Sequence, residues 1–259
     1  MYDYKNLKSD IKILHCYDTI GIKVIGESVL RRDIYMIRLG KGKNEIFYNG
    51  AHHGQEWVTS WLLMRFVFDV VTGKKNICDD YSIFIVPMVN PDGVEIGKTV
   101  RGWQANTNGV DLNHNYDAKW WQGKEYIAKH YGVKAPGPTR YSGASPESEP
   151  EAKAVADFTR SRNFRYVIAL HSQGEEIFWT YDDHAPSGSK RLAKHFSKVS
   201  GYSLINPSGA EDFSGYKDWF IKEYDRPGFT VEVGKGENPL PECMFKGIYE
   251  DVAGILLPK

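Results

Sequence analysis

The sequence predicts an α/β fold, a single domain in which helices cover a twisted, mostly parallel or mixed sheet. Three observations predict it. The 259 residues, 41% hydrophobic and 14% aromatic, suffice for one substantial core and exclude a disordered chain. Segments with strand character alternate with segments of helical period along the chain, with no repeat, low-complexity tract or linker to divide residues 1–259. Two short apolar runs, 81–86 and 166–170, read as strands buried on both faces, as a sheet between helical layers requires.

Residues 4–16 read as a helix, followed by strands over 21–28, 33–39 and 44–48, with Gly40-Lys41-Gly42 turning the chain between the last two. From 55 to 71, Trp57, Trp61, Leu62, Met64, Phe66 and Phe68 recur at helical spacing, and the pattern stops at Thr72-Gly73. The strand at 81–86 is closed by Pro87, and Asn90-Pro91-Asp92-Gly93 reads as a turn. Residues 98–149 are polar and rich in Gly, Asn, Trp and Tyr; a loop of that length in a compact domain is a functional one, here the wall facing a substrate. A helix over 148–160 opens with Glu149, Pro150 and Glu151 in its first turn, and the strand at 166–170 runs into His171. Helical patterns at 187–200, 214–223 and 246–257 then alternate with strands at 177–181 and 228–233.

Thirty-three basic and thirty-three acidic residues leave no net field to draw in nucleic acid or an anionic membrane. No segment approaches the roughly 20 apolar residues of a membrane helix, and Met1 to Lys8 lacks the pattern of a secretory signal, so a cytoplasmic location is expected. Cys16, Cys78 and Cys243 are widely spaced, which fits ordinary, partly buried thiols rather than a disulfide framework or a cysteine metal site. Nothing in the sequence speaks to oligomeric state.

The chemistry begins at Gly50-Ala51-His52-His53-Gly54-Gln55-Glu56-Trp57, where His53 and Glu56, three residues apart, can present two donors to one zinc ion. A hydrolytic zinc site takes three protein ligands and leaves a position for water. His171, at the end of a buried strand and followed by Ser172-Gln173-Gly174, is the candidate third ligand. The reaction also needs a general base. Glu232 lies in the apolar strand Phe229-Thr230-Val231-Glu232-Val233, where a carboxylate is costly unless it faces a cleft or a metal.

Gly-x-His-x-x-Glu-Trp, Val89-Asn90-Pro91-Asp92-Gly93, Gly109-Val110-Asp111-Leu112-Asn113, Leu170-His171-Ser172 and Thr230-Val231-Glu232, in this order, resemble the zinc carboxypeptidases of the carboxypeptidase A type across essentially the whole chain. The resemblance implies an eight-stranded mixed sheet and one zinc ion held by His53, Glu56 and His171. It further implies Glu232 as the base and Asp111 as the carboxylate that orients His53; Asp111 could also simply cap a turn.

The departures from that family are informative. Its exopeptidases carry an Arg after the Trp that precedes Gly-Val-Asp, whereas Trp103 is followed by Gln104. They carry Asn-Arg where this chain has Asn113-His114, and their mobile tyrosine falls on or near Ala210. A guanidinium fork recognises a free carboxylate well, so its loss argues against a plain carboxypeptidase. Ala135-Pro136-Gly137-Pro138, Ser148-Glu149-Pro150-Glu151-Ala152, the segments 215–221 and 227–234, and Asn238-Pro239-Leu240-Pro241 look like the γ-D-glutamyl-meso-diaminopimelate peptidase branch, whose substrates are murein peptides. That resemblance puts Lys217, two residues before Trp219, at the pocket floor, where an ammonium could meet the side-chain carboxylate of diaminopimelate; the bland alternative is a solvated helix lysine. Gln104, Asn113 and His114 are expected to line the cleft, with Arg101 or Arg226 as candidate replacement for the missing guanidinium. The rival readings are a metallocarboxypeptidase removing ordinary C-terminal residues and an inactive homologue that binds wall peptides.

Overall fold

Residues 1–206 and 213–258 are described by the computed structural model of the chain. Their strands are β1 (Ile20–Glu27), β2 (Asp33–Leu39), β3 (Asn44–Gly50), β4 (Tyr81–Val86), β5 (Val167–His171), β6 (Glu176–Phe178), β7 (Ser203–Ile205) and β8 (Gly228–Glu232). The helices are α1 (Tyr4–Leu14), α2 (Trp57–Val71), α3 (Pro91–Gly97), α4 (Trp120–His130), α5 (Pro150–Arg160), α6 (Ser189–Ser200), α7 (Tyr216–Tyr224) and α8 (Phe245–Val252). The strands form one sheet in the order β1-β2-β4-β3-β5-β8-β6-β7. Its centre, β4-β3-β5-β8, is parallel, and antiparallel pairings at β2/β4 and β6/β8 add the flanks.

Every residue of β5 is buried, which is why its sequence is continuously apolar until His171. One sheet face packs against α1, α2, α6 and α8 through residues such as Leu7, Leu62, Phe66, Phe196 and Ile248. The other packs against α5 and α7 through Val155, Phe158, Trp219 and Phe220, joined by Phe47 and Phe164 from the sheet side. The sheet is thus anchored on both faces, and its central carboxyl ends are left to carry side chains toward a cleft.

Several expected elements sit differently. Asn90-Pro91-Asp92-Gly93 opens α3 instead of merely turning: Asn90 caps it by accepting from Gly93 N at 2.8 Å, and Pro91 fills the first position. The polar stretch 98–149 contains α4, whose buried stripe is only Trp120, Gly123 and Ile127. Too few apolar residues reveal that period, and Gly123 is small because a Cβ there would lie 2.7 Å from Phe213 Cβ. The edge strand β7 is only three residues long, too short to show as an apolar run. The three cysteines are exposed, not partly buried. Among the described residues no helix is long and apolar enough to cross a membrane.

Behind the cleft wall lies a buried polar network. Glu151, fully buried at the start of α5, accepts from Val29 N at 3.1 Å and Asn106 Nδ2 at 3.1 Å. Burial, with the nearby Asp92 charge, pushes its pKa up to about 7 despite those hydrogen bonds. A carboxyl raised in the folded state contributes stability that is full below its unfolded pKa and lost as pH rises through the folded one. Urea unfolding is therefore expected to show stability falling between about pH 4.5 and 7 by on the order of 3 kcal/mol from this residue, at 1.36 kcal/mol per pH unit. Glu151→Gln should flatten that segment of the profile; an unchanged slope would contradict the assignment.

Candidate metal centre and cleft

The strand β3 ends at Gly50, and the chain then turns through Ala51, whose φ of 49° is left-handed, to His52 and His53. A 3-10 turn over Gly54–Glu56 leads into α2 and swings Glu56 back toward His53. Gly54 is required there, since a Cβ would lie 2.2 Å from Gly93 O. Asn90 clamps the same loop by donating to His52 O at 2.9 Å, and Gln104 O accepts from Gly54 N at 3.0 Å. From the neighbouring strand ends, β5 contributes His171 and β8 contributes Glu232, paired in register so that both side chains leave the sheet on one face.

His53 Nδ1 lies 2.8 Å from Glu56 Oε1, His171 Nδ1 lies 3.1 Å from Glu56 Oε2, and the two Nδ1 atoms are 3.3 Å apart. The three residues form a group able to hold a metal ion. Asp111 Oδ1 is 3.0 Å from His53 Nε2, while Asp111 Oδ2 accepts from Arg140 N at 2.8 Å. With an Nε2–H donated to Asp111, a neutral His53 would turn its Nδ1 lone pair toward Glu56 and His171. Two ring nitrogens and a carboxylate converge this closely around a shared cation or proton. The donor separation also fits, because ligands roughly 2.0–2.1 Å from a tetrahedral zinc stand about 3.3 Å from one another.

The electrostatics agree. Burial alone would lower the His53 pKa, but Glu56 and Asp111 lift it well above its ordinary value. Burial would raise both carboxyls, yet His53 holds Asp111 far below the usual range, and His53 with His171 holds Glu56 down. This is a site built to keep a positive charge. His52 lies behind it, fully buried, with Nε2 2.9 Å from Tyr116 Oη and its ring stacked on His171 at 5.5 Å. Burial, then the adjacent histidines, drives its pKa well down, so it packs as a neutral ring.

The metal group opens into a cleft of about 470 Å³. Gln104, Asn113, His114, Lys217 and Glu232 all line it, as expected, together with Arg140, Glu176, Phe178 and Thr230. Gln104 accepts from the Thr139 hydroxyl, and Asn113 Oδ1 accepts from Tyr216 N at 3.1 Å. His114 is held neutral chiefly by burial, its pKa lowered although Asp111 pulls the other way. Lys217 is buried, with its ammonium on Thr180 O at 2.5 Å and on the Asp218 carboxylate. Arg101 is elsewhere: it is exposed, paired with Glu237 at 2.6 Å, and does not line the cleft. Arg226 donates to Phe164 O at 2.9 Å, a long-range structural contact, and does not line the cleft. Ala210, the expected place of the mobile tyrosine, lies outside the described residues.

Arg140 lines the cleft, a position not expected from the sequence. Its backbone is tied to Asp111, its φ is 63°, and its guanidinium lies 4.5 Å from the Tyr131 ring centroid at the cleft edge. It forms no ion pair with a described residue. Its sequence signal is a single residue inside a long loop whose path no sequence pattern defines.

Comparison with known proteins supplies the same frame. The family model for zinc carboxypeptidase matches residues 15–253. The chain is 38% identical, over 99% of its length and 71% of the relative, to the gamma-D-glutamyl-L-diamino acid endopeptidase 1 of Lysinibacillus sphaericus. It is 31% identical, over 99% of its length and 76% of the relative, to an uncharacterized protein of Bacillus subtilis (strain 168). Among solved structures it is similar to thrombin activatable fibrinolysis inhibitor, with a TM-score of 0.82, 23% identity, and coverage of 98% of this chain and 72% of the other; at that identity the likeness is one of fold.

Proposed function

We propose that this chain, which belongs to the zinc carboxypeptidase family, hydrolyses the γ-D-glutamyl bond to a diamino acid, meso-diaminopimelate above all, in murein peptides. The observation that carries the reading is a metal-holding group beside Glu232 in a cleft whose positions 104 and 114 carry no guanidinium. The 38% identity to a protein named for that bond supports it.

His53, Glu56 and His171 would hold the zinc, with Asp111 fixing the His53 tautomer. Zinc, when bound, supplies a Lewis acid that polarises the carbonyl and lowers the pKa of water toward about 7. Glu232 accepts a proton from the attacking water and delivers it to the leaving nitrogen as the C–N bond breaks. The products are a γ-carboxylate on the D-glutamyl side and the free amine of the diamino acid. Arg140 binds a carboxylate of the substrate, the cation that Gln104 and neutral His114 do not provide.

The test compares L-Ala-γ-D-Glu-diaminopimelate with blocked and unblocked α-linked peptides. The γ-linked peptide should be cut preferentially; cleavage of α-linked peptides alone would sink the substrate reading. Arg140→Ala should raise KM by about tenfold or more for a substrate with free carboxylates, with a smaller change in kcat. A substrate whose carboxylates are amidated should lose that sensitivity.

A further inference from the structure

Glu176 stands half-buried in the cleft wall, and no described residue gives its carboxylate a hydrogen bond or an ion pair. Its placement follows from register. In the antiparallel pairing of β6 with β8, Glu176 lies opposite Glu232 and Phe178 opposite Thr230, with Ile177 opposite Val231 between them. Directly opposed residues share a face and successive residues alternate. Glu176, Phe178, Thr230 and Glu232 therefore form one wall of the cleft, while Ile177 and Val231 are fully buried behind it.

The floor of this pocket is Lys217, whose positive charge is already matched by Asp218 and by the Thr180 carbonyl. Its ammonium is thus occupied by protein groups, and Glu176 adds a negative charge that no described cation balances. We propose that Glu176 binds the side-chain ammonium of the residue on the leaving-amine side of the scissile bond, so that the pocket selects a diamino acid. This rests on the hydrolytic reading above.

The position suits the role. Glu232 stands where the leaving nitrogen is protonated, so the side chain of the leaving residue starts beside it and runs along the same wall. Directly opposed residues of an antiparallel pair stand about 4.5–5.5 Å apart, so Glu176 faces Glu232 within the reach of a lysine-like stem, whose methylenes would pack beside Phe178 while its ammonium meets Glu176. A neutral side chain in the same place would exclude water from Glu176 without replacing it, which is how a polar pocket rejects an apolar analogue.

The experiment measures kcat/KM for two series, L-Ala-γ-D-Glu-X and an α-linked peptide ending in X, with X being lysine, Nε-acetyl-lysine or norleucine. The zinc-loaded protein should prefer lysine over both neutral residues by about tenfold or more. Glu176→Gln should bring that ratio to within about twofold of one, and Glu176→Lys should invert it. A wild-type protein without the preference, or a Glu176→Gln variant that keeps it, overturns the assignment. If only α-linked peptides are cut, the γ-linkage reading fails while the α-linked series still decides Glu176.

Discussion

Replacing Glu232 with glutamine should lower kcat by about a thousandfold, within the usual range for losing a general base, while stoichiometric zinc is retained. Glutamine keeps the size and the strand-end position but cannot take a proton from water. The substitution should leave β8 in place, because Glu232 is its terminal residue and the strand is anchored by the buried Phe229 and Val231. Zinc content measured on the same sample separates loss of the base from loss of the metal. Activity within about tenfold of wild type would remove Glu232 from the role.

Removing the metal should abolish turnover, and added zinc should restore it in the wild type but not in His171→Ala. His171 offers Nδ1 from the end of a fully buried strand, so nothing nearby can move in to replace it. Two donors would remain, one fewer than a hydrolytic zinc site requires. Removal should also lower the melting temperature, since zinc binds only where the folded chain brings β3 and β5 together. A variant that keeps stoichiometric zinc without His171 would contradict this ligand set. So would wild-type turnover that survives complete chelation.

The parts of this architecture legible in the sequence are those with strong local patterns. Continuous apolar runs revealed the central strands, and β2 and β4 occupy the residues that pattern marked. The candidate donors were legible from spacing and position: His53 and Glu56 stand three residues apart between β3 and α2, and His171 ends the buried strand β5. The helix α4 and the strand β7 were not, because a three-residue buried stripe and a three-residue strand carry too little period to register. Cysteine exposure was misread for a related reason, since a single small residue carries no pattern of its own.

Charge partners were the least legible. Arg101 and Arg140 are both arginines of one long polar segment, and no local pattern distinguishes them. The fold sends Arg101 out to Glu237 and ties Arg140 N to Asp111 beside the cleft. Lys217 lines the cleft, but its pairing with the next residue, Asp218, depends on how α7 meets Thr180.

By itself, then, the sequence determined the fold class, the ordered motif set and the candidate metal donors that the fold gathers into one group, because these depend on residue type and on period along the chain. Tertiary structure alone decided which charges are spent and which remain available. Parallel register sets His171 beside Glu232, antiparallel register sets Glu176 opposite it, and a left-handed turn brings Arg140 to Asp111. Coulomb interactions and desolvation act through distances in space, and those distances are set by strands and loops far apart in the chain.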